Sequence, residues 1–490
     1  MTGAKLWFLL TGFLQPIFLA TALGPTGYGR YGAVLSAISI VNNVVVAGSI
    51  QAMSRSVTRY GKRAVRFGLL IHALTGLVVA SLLVALAPLI GTAWLRNAEL
   101  TPMLRLAALI TASYCLYAAL VGVFNGRQQF AHQAGLDVVF ATLRTTLIIV
   151  GARSAYGVFG AVAGFVTASV LIVGLAALLL ASSKPTPASS DVSPAEPQQF
   201  GAFLREYSHF FAPVLLYQIA LNMVLQSDVL LMQGVLIRRP GATLEQVTAL
   251  VGIYKSVQNF AFLPYQILLA VTFVLFPVVT KAAQQGDIGQ TRAVFRSALR
   301  FAFVLLGLML SVLAGAPHGV LRVVYPSSFF AGASALRWLA LGQACFALLV
   351  LGLTVVLAMG RTLAATGVMV TTLFAVMVGN LLALQLVDVG SSSLVAAALA
   401  TAAGCLVGLV LTLAYLTRLL GTFVPVTTAV RATACAVVSA IVAGVLPSQS
   451  KVHAVGTALV TVLVFVATLM ASGELHATER AALVRRFRRR

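Results

Sequence analysis

Acidic residues are scarce. Asp and Glu number 11 against 33 Lys and Arg, and charged residues make up only 9% of a 490-residue chain. Soluble domains keep roughly a quarter of their residues charged, so a water-soluble globular fold is excluded. The shortage also leaves few groups for acid–base or metal-assisted chemistry. No DxD occurs, the six histidines form no HxxxH pair, and the four cysteines (Cys115, Cys345, Cys405, Cys435) stand singly in apolar runs without CxxC spacing. The cysteines are therefore read as free core thiols, and no metal, cofactor or enzymatic activity is expected. The same imbalance gives a formal charge of +22. Its basic residues fall in short runs between apolar segments, the pattern of membrane orientation rather than of nucleic-acid binding.

What the chain has instead is apolar length, with 60% hydrophobic residues and a mean hydropathy of +0.99. A membrane-spanning helix needs about 20 largely apolar residues. Fourteen such segments are found, at 5–23, 29–52, 68–92, 104–124, 136–152, 157–181, 209–236, 247–277, 296–316, 332–357, 364–386, 393–416, 425–446 and 453–472. The prediction is an all-α integral membrane protein. Lys5, the first apolar run and Ala20-Thr21-Ala22 have the outline of a signal peptide. Gln15-Pro16 interrupts that run and its removal spoils the even count, so the segment is read as retained. With an even number of spans both termini share a side. If that side is cytoplasmic, 22 of the 33 basic residues lie inside or at the inner span ends, nine outside or at the outer ends, and two deep within spans, so the positive-inside rule places both ends in the cytoplasm. The terminal RRFRRR run reads as a topology anchor, with contact to anionic lipid or a partner as the other reading.

One linker stands out: SSKPTPASSDVSPAEPQQ, residues 182–199, holds four of the sixteen prolines and cannot form a helix. It divides the chain after six spans, and FGAFLREYSHFF, which follows, has the character of a short amphipathic surface helix. Across this divide the sequence repeats. GRYGAV at 29–34 is echoed by GIYKSV at 252–257, an offset of 223. The same offset aligns Ser36 with Asn259 and Asn43 with Gln266. Gly32, Ser36, Ser39 and Asn43 form one helical stripe, as do Lys255, Asn259 and Gln266. RAVRF at 63–67 answers RAVFR at 292–296, and Gly126-Arg127 answers Gly360-Arg361. The expected organisation is a first six-helix lobe (1–181), a linker (182–208), a second lobe in the same orientation (209–416), and two extra spans with a basic tail (417–490). Such paired lobes enclose a cavity whose access can alternate.

The stretches LGPTGYGRYG, SDVLLMQGVL, VGIYKSVQNFAFLPYQ and VLFPVVTK give the chain a further resemblance. It is similar to the polysaccharide flippases, the Wzx-type lipid-linked oligosaccharide exporters of the multidrug/oligosaccharidyl-lipid/polysaccharide superfamily. The resemblance runs over nearly all the chain. It implies two lobes around a cationic central cavity, a bacterial inner membrane, and export of an undecaprenyl-diphosphate-linked oligosaccharide to the outer leaflet. The implied partners are the polyprenyl-diphosphate-linked saccharide itself, membrane lipids and polysaccharide polymerase or assembly proteins. Lipid II flippases and cation-coupled multidrug exporters of the same superfamily are the alternatives. A membrane glycosyltransferase or polymerase is a remoter one, disfavoured by the short expected outer loops.

A charge near mid-bilayer costs about 2.5–3.5 kcal/mol on insertion scales and so faces a wet cavity or a partner. Four residues qualify: Asp137, Arg144, Asp228 and Lys255. Arg144 is read either as a clamp on diphosphate oxygens or as an interhelical ion pair, with Asp137 seven residues earlier on the same face. Lys255 heads the second polar stripe and is read as the source of positive potential for an anionic headgroup, with a salt bridge to Asp228 as the other reading. Arg30 and Arg55, with Arg59, stand at the two ends of span two as guides for the headgroup or as interfacial anchors. Pro16 and Pro264 are mid-helix prolines, read as hinges or static kinks. Gly160 and Gly164 form a GxxxG that suits close packing.

Overall fold

The computed structural model describes residues 2–183 and 200–474, although the side chains at 1–6, 8–9, 47, 51, 59–64 and 200–214 fall outside the description. The linker from residue 184 and the terminal basic run also lie outside the described residues. Every regular element among the described residues is helical: α1 (Thr2–Pro88), α2 (Leu100–Gly126), α3 (Phe130–Arg153), α4 (Gly157–Ser182), α5 (Phe200–Leu236), α6 (Leu244–Ala261), α7 (Leu263–Gln284), α8 (Ile288–Leu313), α9 (Pro317–Val324), α10 (Ala333–Ala358), α11 (Thr362–Leu386), α12 (Ser391–Leu420), α13 (Val426–Val445) and α14 (Lys451–Ala471), with a π turn at Leu89–Trp94 and a 3₁₀ turn at Ser327–Gly332.

Helix boundaries and membrane crossings do not coincide. α1 has 87 residues, about 130 Å at 1.5 Å per residue and several times the roughly 30 Å of a hydrocarbon core. Its apolar parts are Leu10–Thr58 and Val65–Trp94, of 49 and 30 residues. The first is long enough for two crossings, and Gly24 marks the division: its φ of +66°, immediately before Pro25, is a left-handed break that glycine tolerates without a Cβ clash. Among the described residues, thirteen apolar helices or helix pairs are long enough to cross a membrane, so dividing the first gives the fourteen crossings expected. Segment 200–211 continues as helix into α5 rather than forming a separate surface helix. Large apolar side chains such as Leu77, Val78, Phe273, Phe374 and Leu463 are exposed, as lipid-facing surfaces require.

The described chain divides into two compact units, one ending at Lys255 and one beginning at Ser256. In the first, α2 lies along α1, α3 packs on α4, and α5 packs on α1. The GxxxG is a packing device inside this unit: a Cβ at Gly160 stands 2.3 Å from the Gly151 carbonyl oxygen, and one at Gly164 stands 2.1 Å from that of Leu147. In the second unit α10 packs against α7 and α12, α11 against α12, and α13 against α8 and α14.

The tightest crossing lies between α1 and the start of α6, within the first unit. A Cβ on Gly29 falls 1.9 Å from the Thr248 carbonyl oxygen, and a Cβ on Gly252 falls 1.9 Å from the Pro25 carbonyl oxygen. These contacts are reciprocal, because Pro25 and Thr248, like Gly29 and Gly252, are separated by the repeat offset of 223. Backbone meets backbone here, so no side chain can move aside.

In the second unit a carboxylate just beyond α14 ties three helices together. Arg300 of α8 donates Nε to Glu474 Oε1 at 3.0 Å, Thr428 Oγ1 donates to the same oxygen at 2.5 Å, and Arg431 of α13 pairs with Oε2 at 3.4 Å. Burial pushes the Glu474 carboxyl up, but the hydrogen bonds from Thr428 and Arg300, the Arg300 charge and Arg431 outweigh it and hold it below the ordinary glutamate range.

Both contacts can be tested by thermal unfolding. G29A and G252A should each lower the thermal midpoint of the detergent-purified protein, at a cost of about 1–3 kcal/mol for overpacking, whereas G135A, with open space at its Cβ, should not; a G252A midpoint equal to wild type would rule out the crossing. Because the folded Glu474 pKa is depressed, its stabilisation is complete above about pH 4.3, the unfolded value, and is lost as pH falls through the folded value. E474Q should therefore unfold at lower temperature at pH 7 and lose less on acidification than wild type, as read by scanning fluorimetry at both pH values.

Candidate functional site

Lys255 sits two helical turns past Thr248, the partner of Gly29, and the close crossing delivers its stem onto α1. A Cβ at Gly32 would lie 3.1 Å from Lys255 Cγ, so the missing side chain at Gly32 makes the channel through which the lysine passes. Gly32 and Lys255 are themselves repeat equivalents. The Lys255 ammonium donates to Gln226 Oε1 of α5 at 3.0 Å and to Ser36 Oγ of α1 at 3.3 Å. Asp228 is close enough to attract it, and accepts at Oδ2 from the Tyr254 hydroxyl at 2.9 Å and at Oδ1 from the Val229 N–H at 2.8 Å. Asp228 is almost fully buried, while Lys255 is half-buried.

Seven residues beyond Ser36 along α1, about 10 Å by helical rise, Asn43 donates Nδ2 to Asn222 Oδ1 of α5 at 2.9 Å. Asn222 and Gln226 are one turn apart, as are members of the Ser36–Asn43 stripe, so α1 and α5 meet along a neutral polar seam. Asn43 also borders a cavity of about 180 Å³ lined by Gln15, Ser39, Asn42, Tyr114 and Arg144. Arg144, in the middle of α3, stands 5.8 Å from the ring centroids of both Phe140 and Phe165 and engages the Tyr114 phenol. The first unit thus carries a lysine at one end of the seam and an arginine beside the other, joined by amides and hydroxyls. That arrangement stabilises negative charge at two points and supplies hydrogen bonds between them.

The structure brings Lys255, Asn43 and Arg144 into this one system. Asp137 lies beside the Tyr117 phenol. Asn259 and Gln266 fall in the second unit, where half-buried Asn259 engages Tyr325 and Gln266 is exposed. Between α6 and α7 Phe262 keeps right-handed helical angles, its N–H reaches the Gln258 carbonyl and the Gln266 N–H reaches its own carbonyl, so Pro264, in the first turn of α7, stands at a local kink within one apolar run, Leu244–Gln284. Pro16 stays inside α1. Arg30 pairs with Glu99 at 2.6 Å, Arg55 is exposed, and the Arg59 side chain lies outside the described residues. Sequence reasoning missed Asn222, Gln226, Tyr254, Gln15, Asn42 and Tyr114. The available signal was the run Gln218, Asn222, Gln226 at four-residue spacing within an apolar span. Among the described residues, no group of three or more His, Cys, Asp or Glu is placed to hold a metal.

The profile described as polysaccharide biosynthesis protein matches residues 2–283. Among curated proteins, none matches the sequence. Among solved structures, the lipid II flippase MurJ in an inward closed conformation is similar at a TM-score of 0.71 and 13% identity, covering 95% of this chain and 97% of MurJ. An inward-facing multidrug resistance MATE family transporter of the MOP superfamily is similar at 0.66 and 12%, covering 84% and 95%. A mutant form of a Vibrio cholerae MATE transporter is similar at 0.57 and 15%, covering 86% and 98%. At these identities the likeness establishes the fold.

The seam predicts a double-mutant cycle. N43L leaves the buried Asn222 oxygen without its donor, which should cost about 1–3 kcal/mol. N43L/N222L removes both partners and should recover part of the loss in thermal midpoint; equal, additive losses would show that the two amides do not interact.

Proposed function

The chain belongs to the polysaccharide biosynthesis protein family, and from that premise we propose that it is a flippase for an undecaprenyl-diphosphate-linked oligosaccharide, moved from the inner to the outer leaflet by alternating access. The observation that carries this reading is the pair of intramembrane cations, Lys255 and Arg144, bordering one polar seam in the first unit. A diphosphate is an acceptor-only dianion, and a protonated amine and a planar guanidinium are the groups that complement it. The intervening amides and hydroxyls suit the saccharide that follows, and the polyprenyl tail stays among lipid chains. No covalent step is involved, so no nucleophile or cofactor is required. The expected setting is the bacterial inner membrane with both termini cytoplasmic, upstream of polymerase or assembly proteins that consume the exported saccharide.

The lipid II reading is favoured by one observation, the extent of the likeness to MurJ across 95% of this chain. Its substrate is also a polyprenyl-linked diphosphate sugar, so the same cations serve it. The cation-coupled drug exporter fits less well. A site for cationic drugs needs an available carboxylate, and the intramembrane acid nearest the seam, Asp228, is engaged by Tyr254 and the Val229 N–H.

K255A should lower translocation while expression and membrane insertion stay near wild type, read as flux of a labelled lipid-linked saccharide in proteoliposomes; undiminished flux would discard the role given to Lys255. Deleting the protein should cause one lipid-linked saccharide to accumulate on the inner leaflet, identified by mass spectrometry. Accumulation of lipid II would select the second reading, and no accumulation would favour drug export.

A further inference from the structure

One end of the second unit gathers arginines that the transport reading does not use. α8 presents Arg292, Arg296 and Arg300 at intervals of four, a single helix face. Arg292 and Arg296 are exposed and Arg300 is half-buried. The Arg292 guanidinium comes within 3.1 Å of where a Cβ on Gly421 would stand, at the residue that ends α12, and the last turn of α12 adds exposed Arg418. Arg431 follows on α13 with its side chain 46% exposed. Two carboxylates lie in the same region. Asp287 is taken up in capping α8 through the Gln290 N–H, and Glu474 is taken up by Arg300, Thr428 and Arg431.

The Glu474 contacts show what this surface accepts. Two guanidinium groups and a hydroxyl already converge on a single carboxylate at its inner edge, while Arg292, Arg296 and Arg418 point the same chemistry outward. Beside them the surface turns apolar: Val426 and Val430 are each 63% exposed, and Phe301 is 55% exposed. A ligand that satisfies both halves needs a phosphate for the guanidinium forks and hydrocarbon for the aliphatic side chains. A free anion meets only the first need.

We propose that this face is a binding site for the headgroup of an anionic phospholipid, held by Arg292, Arg296 and Arg418, with Glu474 keeping Arg300 and Arg431 oriented along its edge. Cations on one side of a membrane protein set topology through their sign alone; here they are gathered where α8 packs against α13 and meets α12, and this is what makes a site of them. The proposal is independent of the transported substrate.

The test is native mass spectrometry of the delipidated full-length protein in an equal mixture of phosphatidylglycerol and phosphatidylcholine with matched chains. Wild type should retain phosphatidylglycerol preferentially. In R292Q/R296Q/R418Q that preference should fall about fivefold or more, and in wild type it should weaken as ionic strength rises. The thermal midpoint and elution profile report whether the variant is folded, and R292K/R296K/R418K, which keeps the charge, should retain most of the preference. Equal retention of the two lipids by wild type, or an unchanged preference in a folded glutamine variant, overturns the proposal. Displacement of the lipid by millimolar inorganic phosphate also overturns it, in favour of a free-anion site.

Discussion

The structure of the first unit depends on one steric constraint, the contact of backbone with backbone where Gly29 meets Thr248 and Gly252 meets Pro25. At that crossing α1 and α6 approach more closely than any side chain permits, and every later register follows from it. Lys255 is three residues beyond Gly252, so its stem is fixed over Gly32. Ser36 is seven residues beyond Gly29, so its hydroxyl meets the end of that stem. Had either glycine carried a side chain, the helices would part and the lysine would lose both its channel and its hydrogen-bond acceptors.

Holding a cation inside an apolar bundle has a cost that the neighbours must offset. An ammonium has three donors and no acceptor. Gln226 and Ser36 each accept one of its hydrogen bonds without neutralising it, whereas Asp228 contributes charge attraction while its oxygens receive Tyr254 and the Val229 N–H. Neutral dipoles and the Asp228 charge thus share the work of holding the lysine. Arg144 is held by a different set of contacts, lying near two aromatic faces and a phenol.

Much of this was legible in the sequence, and the parts that were not share a cause. The spans could be read because hydrocarbon thickness fixes an apolar length, and Lys255 could be read because a charge in such a run is costly. The crossing was foreshadowed by the GRYGAV and GIYKSV echo, although a repeat says only that two segments are alike, not that they touch. The acceptors Asn222 and Gln226 escaped because a single amide is cheap enough to sit in an apolar span without marking it. Glu474 escaped for a different reason: it follows the last span, and its partners Arg300 and Thr428 are 174 and 46 residues away in the chain, where no local pattern reaches. The second polar stripe passes through half-buried Asn259 and reaches an exposed Gln266 just past the Pro264 kink, so its far end is not buried as its start is.

The asymmetry at the crossing bears on why two echoing segments present one lysine there and not two. Gly32 and Lys255 occupy equivalent positions in the repeat and lie against each other. A lysine at both would put two stems into a channel with room for one, and two ammonium groups within a few ångströms would repel each other strongly in a medium of low dielectric. A glycine at both would leave the position empty and the polar seam without positive charge. Symmetry thus admits a single long side chain at this point, and the partner position must be the residue with none. The seam inherits a direction from that choice: its lysine end is set by α6 and its arginine side by α3, so its two ends present different groups, an ammonium on a single stem and a guanidinium packed among aromatic rings.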